Sequence, residues 1–199
     1  CAGTIFPQKK LNRTKAKHNY PILQKGVGNN TVLGNYFLER FDGGVFPPAG
    51  WSVQNPDGDI TWAFTNQVSS YGIGTGSVWM DCYNYSSFPQ FDTLISPIIS
   101  GLVGGLGDSI KFDIAYAKSN LGAETLKVLL STNGGISFST VLFNKGGDAL
   151  KSTNSNDEFI PNATQWKTFS AGLPVSVAGN NCVFAFVARN DFANNLYLD

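Results

Sequence analysis

Charge, histidine and long apolar runs are all scarce in this sequence, and each shortage removes a class of function. Charged residues are 14% of the 199, against about 25% in an average soluble protein. Gly, Asn, Ser and Thr take their place, giving a polar, weakly charged surface of the kind secreted β-rich binding proteins have. The one histidine, His18, lies near the start of the chain, and no G-x-S-x-G, C-x-x-C or zinc-ligand spacing occurs. A general base or an activated nucleophile is therefore hard to assemble. Paired carboxylates, for instance among Asp81, Asp92 and Asp113, remain the one route to glycosidase chemistry. Gly104-Gly105-Leu106-Gly107 precedes a strand, not the helix a phosphate cradle needs. No run of about 18 apolar residues exists, which excludes a membrane-spanning helix. No signal peptide is present, so an exported chain would already have lost it.

Cysteine is limited to Cys1, Cys82 and Cys182. The last two fall in strand-like segments, where they form either one disulfide, as suits an oxidising compartment, or two buried thiols. Cys1 reads as a lipidated first residue, a partner in an intermolecular bridge, or a cut from a longer chain. The cut is the preferred reading, because the chain also stops at Asp199 within a strand pattern.

The net charge of zero conceals an asymmetry. Residues 1–30 hold Lys9, Lys10, Arg13, Lys15, Lys17 and Lys25 and no acid, while the remainder holds eight basic and fourteen acidic residues. A basic segment without periodicity reads as an extended arm or linker lying against an acidic body, with no role in nucleic-acid binding. Six charges are costly to bury unpaired, so the arm is expected to add little to the core.

Residues 31–199 are rich in turn breakers. Strands are expected at Val32 to Phe41, Trp51 to Val53, Thr61 to Phe64, Ser77 to Tyr83, Asp92 to Ile99 and Ser109 to Ala117. In the last of these Ile110, Phe112, Ile114 and Tyr116 share one face. Further strands are expected at Leu126 to Ser131, Phe138 to Phe143, Gln165 to Phe169, Asn181 to Arg189 and Leu196 to Asp199, with a type I′ hairpin turn at Asn133-Gly134. Breakers every 8 to 12 residues and no helical period indicate an antiparallel β-sandwich or jelly roll. Asn55-Pro56-Asp57-Gly58-Asp59 presents carbonyl and carboxylate oxygens in one turn. Such a turn either binds a hard cation such as calcium or closes on itself through Asx hydrogen bonds.

Four stretches, FDGGVFPPAGWSVQNPDGDITW, DTLISPII, LKVLLSTNGGISFSTV and ARNDFANNLYLD, together resemble the choice-of-anchor J domains of exported Bacteroidetes proteins. These are relatives of the gingipain cleaved-adhesin domains and, more distantly, of MAM domains. The resemblance implies an all-β antiparallel jelly roll over residues 31–199 behind the 1–30 arm. It also implies secretion by the type IX route or display on the cell surface, and no catalysis. Structural calcium is implied where the first and last strands meet, with Asp42, Asp57, Asp59 and Asp199 as matching ligands. Four converging carboxylates would need such a cation to relieve their repulsion. The expected function is a calcium-stabilised adhesion module that binds protein or glycan on a host or neighbouring cell. The alternative is a spacer or passenger beside an exported protease. Tyr71, Tyr83, Tyr85 and Phe88 in the loops are candidate ligand contacts, or else they cover the ends of the sandwich.

Overall fold

The computed structural model describes residues 37–105 and 107–199, which belong to one compact unit, Gly34–Asp199. The expectations for the basic arm and for Cys1 lie outside the described residues. Among the described residues eleven strands form two sheets. The first sheet has the order β1 (Ser52–Gln54), β4 (Gln90–Ile95), β10 (Val183–Asn190), β6 (Thr125–Ser131), β7 (Thr140–Gly146). In the second, β2 (Ala63–Thr65), β3 (Ser77–Met80), β11 (Leu196–Leu198) and β5 (Ser109–Lys118) lie side by side. β9 (Lys167–Gly172) pairs antiparallel along β5, and β8 (Thr153–Asn154) joins its end in parallel.

The alternation along β5 sets the core as expected. Phe112, Ile114 and Tyr116 point between the sheets and meet Val128, Leu130, Leu94, Phe186 and Leu196. Phe112 meets the rings of Phe143 at 5.1 Å and Phe186 at 5.7 Å edge-on, a geometry that adds about 0.5–1.5 kcal/mol per pair beyond area burial. The opposite residues of β5, Ala115 and Ala117, belong to a second apolar cluster with Tyr197, Phe159 and Trp166, against which Trp79 and Val68 pack. The segment between β8 and β9 thus covers the outside of the second sheet.

Several expectations change. Residues 37–41 are not a strand; Phe41 instead takes a left-handed φ of 53° and packs edge-on against Trp51 at 5.4 Å. The β6–β7 connection is longer than a two-residue type I′ turn. Gly134 and Gly135 supply its positive φ, and the Asn133 carboxamide bonds Ser137. The strand expected from Asp92 to Ile99 begins at Gln90 and stops at Ile95, before Pro97, which cannot donate to the ladder.

The Cys82–Cys182 disulfide is not formed; both thiols are free and buried. Cys82 lies beside Glu124, whose carboxylate holds the backbone just after β10, whereas Cys182 sits just before β10. The eight residues of β10 span roughly 26 Å at about 3.3 Å each. That is far beyond bridging range.

Candidate functional site

The carboxylates expected to share one ion are divided between two places. Asp199 extends β11 and exchanges backbone hydrogen bonds with Asp113, at 2.7 and 2.9 Å. Its carboxylate accepts the Ser70 N–H at 2.8 Å. Burial lifts Asp199 to about 6 against these hydrogen bonds, with Asp113 and Asp42 adding like charge. Asp42 accepts the Thr75 N–H, and Asp113 the Thr168 hydroxyl.

Asp57 and Asp59 belong elsewhere. The turn that carries them closes on itself: Asn55 accepts from the Gly58 N–H at 2.9 Å and donates to the Asp59 carbonyl at 2.8 Å, and Asp57 accepts the Asp59 N–H at 3.2 Å. This is the Asx alternative. The Tyr85 hydroxyl donates to Asp57 and lowers its pKa. Their electrostatic neighbour is Asp92, 1% exposed, which burial pushes up to about 6, with Thr61 opposing and Asp57 and Asp59 adding like charge. Neither Asp92 carboxylate oxygen has a partner in hydrogen-bond geometry. Its carbonyl accepts from the Trp62 indole, at 3.1 Å. Among the described residues no group of three or more His, Cys, Asp or Glu is arranged to hold a metal ion. One ion held by Asp42, Asp57, Asp59 and Asp199 together therefore does not fit this geometry.

The candidate aromatics also separate. Tyr85 is fully buried, so it caps the core and offers no ligand contact. Tyr71, at a positive φ of 50°, places its hydroxyl 3.0 Å from that of Thr168. Tyr83 is partly exposed, and its N–H is held by the Asn195 carboxamide. Phe88 is exposed and stacks on Phe192 with ring centroids 5.9 Å apart.

A site the sequence reading missed lies on the outer face of the first sheet. A groove of about 300 Å³ there is lined by Phe91, Thr125, Lys127, Asn144, Val187 and Arg189, at the lower end of ligand-pocket sizes. Strand register brings these residues together in two cross-strand rows. Phe91 faces Arg189, which faces Thr125; Val187 faces Lys127, which faces Asn144. Phe91 is 49% exposed, an uncovered ring on a rigid strand. At the end of the first row Gly146 faces Thr125, where an added Cβ would come within 2.5 Å of the threonine hydroxyl.

The turn between β10 and β11 fixes the rim. Glu124, 0% exposed, accepts the N–H groups of Asp191 and Ala193, each at 2.7 Å. Burial raises it to about 7 even so, and the Asp191 charge contributes. Asp191 in turn holds the Arg189 guanidinium through Nη2 at 2.8 Å. Asn190 donates to the carbonyls of Tyr85 and Ser87, and Asn194 to those of Ser155 and Asp157. The NDFANN motif thus ties the neighbouring loops to one end of the sandwich.

No family model and no curated protein matches the sequence. Solved structures do match. The K3 cleaved adhesin domain of Lys-gingipain from Porphyromonas gingivalis w83 aligns at 23% identity with a TM-score of 0.56, over 84% of this chain and 95% of that domain. The K2 domain of Lys-gingipain aligns at 22% and 0.58, over 82% and 95%. The carbohydrate-binding module TmCBM61, solved with β-1,4-galactotriose, aligns at 16% and 0.50, over 80% and 90%. The chain is an all-β sandwich with the fold of the cleaved adhesin domains of Lys-gingipain, the likeness its sequence motifs carry.

Proposed function

We propose that this chain is a non-catalytic binding module that takes an oligosaccharide on the outer face of its five-stranded sheet. The observation that carries this reading is the uncovered Phe91 ring, set beside hydrogen-bonding groups from Thr125, Lys127, Asn144 and Arg189 in one groove. A sugar ring has an apolar face that stacks on an aromatic side chain and an equatorial rim of hydroxyls that needs donors and acceptors. The groove lining contains no carboxylate, histidine or cysteine to move a proton, which suits binding without turnover. The carbohydrate-binding module TmCBM61, of similar fold, supports the same reading. We propose attachment to glycans on a host or neighbouring cell, by a secreted or surface-displayed chain, as its setting. A spacer role predicts no saturable binding.

The test is titration calorimetry of the whole chain and of Phe91→Ala against an oligosaccharide panel. Saturable binding that weakens about tenfold or more in the variant supports the proposal. Equal binding by both proteins, or none by either, removes it.

Calcium is a separate proposal, now confined to Asp42 and Asp199. The pressure of Asp42 and Asp113 on the half-buried Asp199 carboxyl is what a divalent ion would relieve. Ion binding to the folded state alone adds about 2.7 kcal/mol at a hundredfold excess over its dissociation constant. A melting temperature that is equal in calcium and in EDTA, and equal again for Asp199→Asn, disposes of it.

A further inference from the structure

We infer that the groove selects an acidic sugar, one that presents a carboxylate to Lys127 and Arg189. The inference rests on reading the groove as a sugar site. It concerns only which sugars enter.

The charge pattern of the sheet carries it. Across β1, β4, β6, β7 and β10 the only acid is Asp92, and it is buried on the inner side. The basic residues of these strands are Lys127, Lys145 and Arg189. Lys145 is occupied at the sandwich edge, its ammonium 5.5 Å from the Phe143 ring and 4.9 Å from the Phe169 ring. Lys127 and Arg189 line the groove. They come from adjacent strands, β6 and β10, with the cross-strand pairs Arg189–Thr125 and Val187–Lys127 next to one another in the register.

Lys127 forms no ion pair among the described residues. Arg189 pairs with Asp191 through one nitrogen, but a guanidinium has five N–H donors in a planar fork. The Asp191 contact holds that fork in place. Asp191 offsets one of the two positive charges, so the groove keeps an uncompensated cation on a body whose acids outnumber its bases, fourteen to eight. Such a site favours a carboxylate over a hydroxyl at the same position, through charge-assisted hydrogen bonds roughly twice as strong as neutral ones. An acidic peptide also carries carboxylates, but it offers no apolar ring face to Phe91.

The experiment is calorimetry of the whole chain with two matched pairs, β-1,4-linked triglucuronate against cellotriose and sialyllactose against lactose, with hexaglutamate as a peptide probe. Proteins compared are the unaltered chain, Lys127→Ala, Arg189→Lys and Phe91→Ala. The inference expects the acidic member of at least one pair to bind about tenfold tighter than its neutral partner. That margin should shrink in 0.5 M salt. Lys127→Ala should abolish the preference, weakening the acidic member about tenfold and the neutral member only by the few-fold loss of one hydrogen-bond donor; Arg189→Lys should reduce it, because an ammonium cannot present the fork. Neutral members that bind as tightly, with Lys127→Ala without effect, overturn the inference and leave the sugar site standing. An acidic preference that survives in Lys127→Ala also overturns it. Binding of hexaglutamate alone, or of no probe, overturns the inference together with the sugar reading.

Discussion

Outside the second sheet, Trp79, Tyr197, Phe159 and Trp166 form an apolar cluster of their own, roofed by the segment between β8 and β9. Among the described residues no such roof covers the outside of the first sheet, and Phe91 stands half-exposed beside Lys127, Asn144 and Arg189. One sandwich thus treats its two outer faces oppositely. The aromatic residues of the roofed face are spent on stability, since Tyr197, Phe159 and Trp166 are buried and Trp79 stacks on Tyr197. On the open face the aromatic residue adds little to the fold and is available to a partner. The uncovered aromatic ring next to polar groups on this sheet is the reason for proposing it as the binding side.

Truncation on each face gives the widest contrast. Trp166→Ala should cost about 3–5 kcal/mol, because it empties a buried ring-sized volume. Phe91→Ala should stay within about 0.5 kcal/mol. Denaturant unfolding of the two variants checks this, and similar losses for both would erase the distinction between the faces.

The next effect is a pH dependence from the buried Glu124 and Asp92 and the half-buried Asp199. Glu124, Asp92 and Asp199 sit at about 7, 6 and 6 in the folded chain, above the roughly 4.3 and 3.9 of unfolded Glu and Asp. The folded state therefore holds these protons more tightly. Their contribution is complete below about pH 4 and is lost as pH rises through 6 and 7. For Asp92 the loss at pH 8 is at most about 3 kcal/mol, at 1.36 kcal/mol per pH unit. The chain should melt several degrees higher at pH 5 than at pH 8, and Asp92→Asn should flatten the slope. A melting temperature that rises with pH over this range would contradict the assignment. Neither change should alter the open face.

A smaller effect sharpens the open side. Asp191→Asn removes the charge that holds Arg189 while keeping a similar shape. It should cost about 1 kcal/mol of stability. It should also weaken binding of a neutral oligosaccharide a few-fold through looser orientation of the guanidinium. Unchanged affinity would show that the Asp191 contact does not position Arg189.

The core was readable from the sequence, and the open face was not, for a reason visible in β4. Its pattern, Gln90-Phe91-Asp92-Thr93-Leu94-Ile95, reads naturally with Phe91 inside and Asp92 outside. The pleat does the reverse. Leu94 is fully buried in the core, and with a period of two it carries Asp92 inward and turns Phe91 to solvent. In β5 every inward position is apolar, so Ile114 and Tyr116 announced the right face. The groove is drawn from the β6–β7 hairpin and from β4 and β10, which join it only through long-range pairing. No local spacing in the chain links Lys127 to Arg189.

The carboxylates show the same limit in the opposite direction. The Asn55–Asp59 turn reads as a cation loop or an Asx turn with equal ease. The structure shows the Asx hydrogen bonds of the second. Glu124, the most consequential buried acid, lies in a segment with no motif, because its role depends on the NDFANN turn folding back from about 70 residues later.

The central claim, that the ligand enters over β4, β10 and β6, is tested most directly by amide chemical-shift mapping during titration with an oligosaccharide that binds. The account predicts shifts clustered at Phe91, Thr125, Lys127, Asn144, Val187 and Arg189, with Trp79, Trp166 and Tyr197 unmoved. Shifts centred on Tyr71 and the roofed face, with the Phe91 row silent, would contradict it.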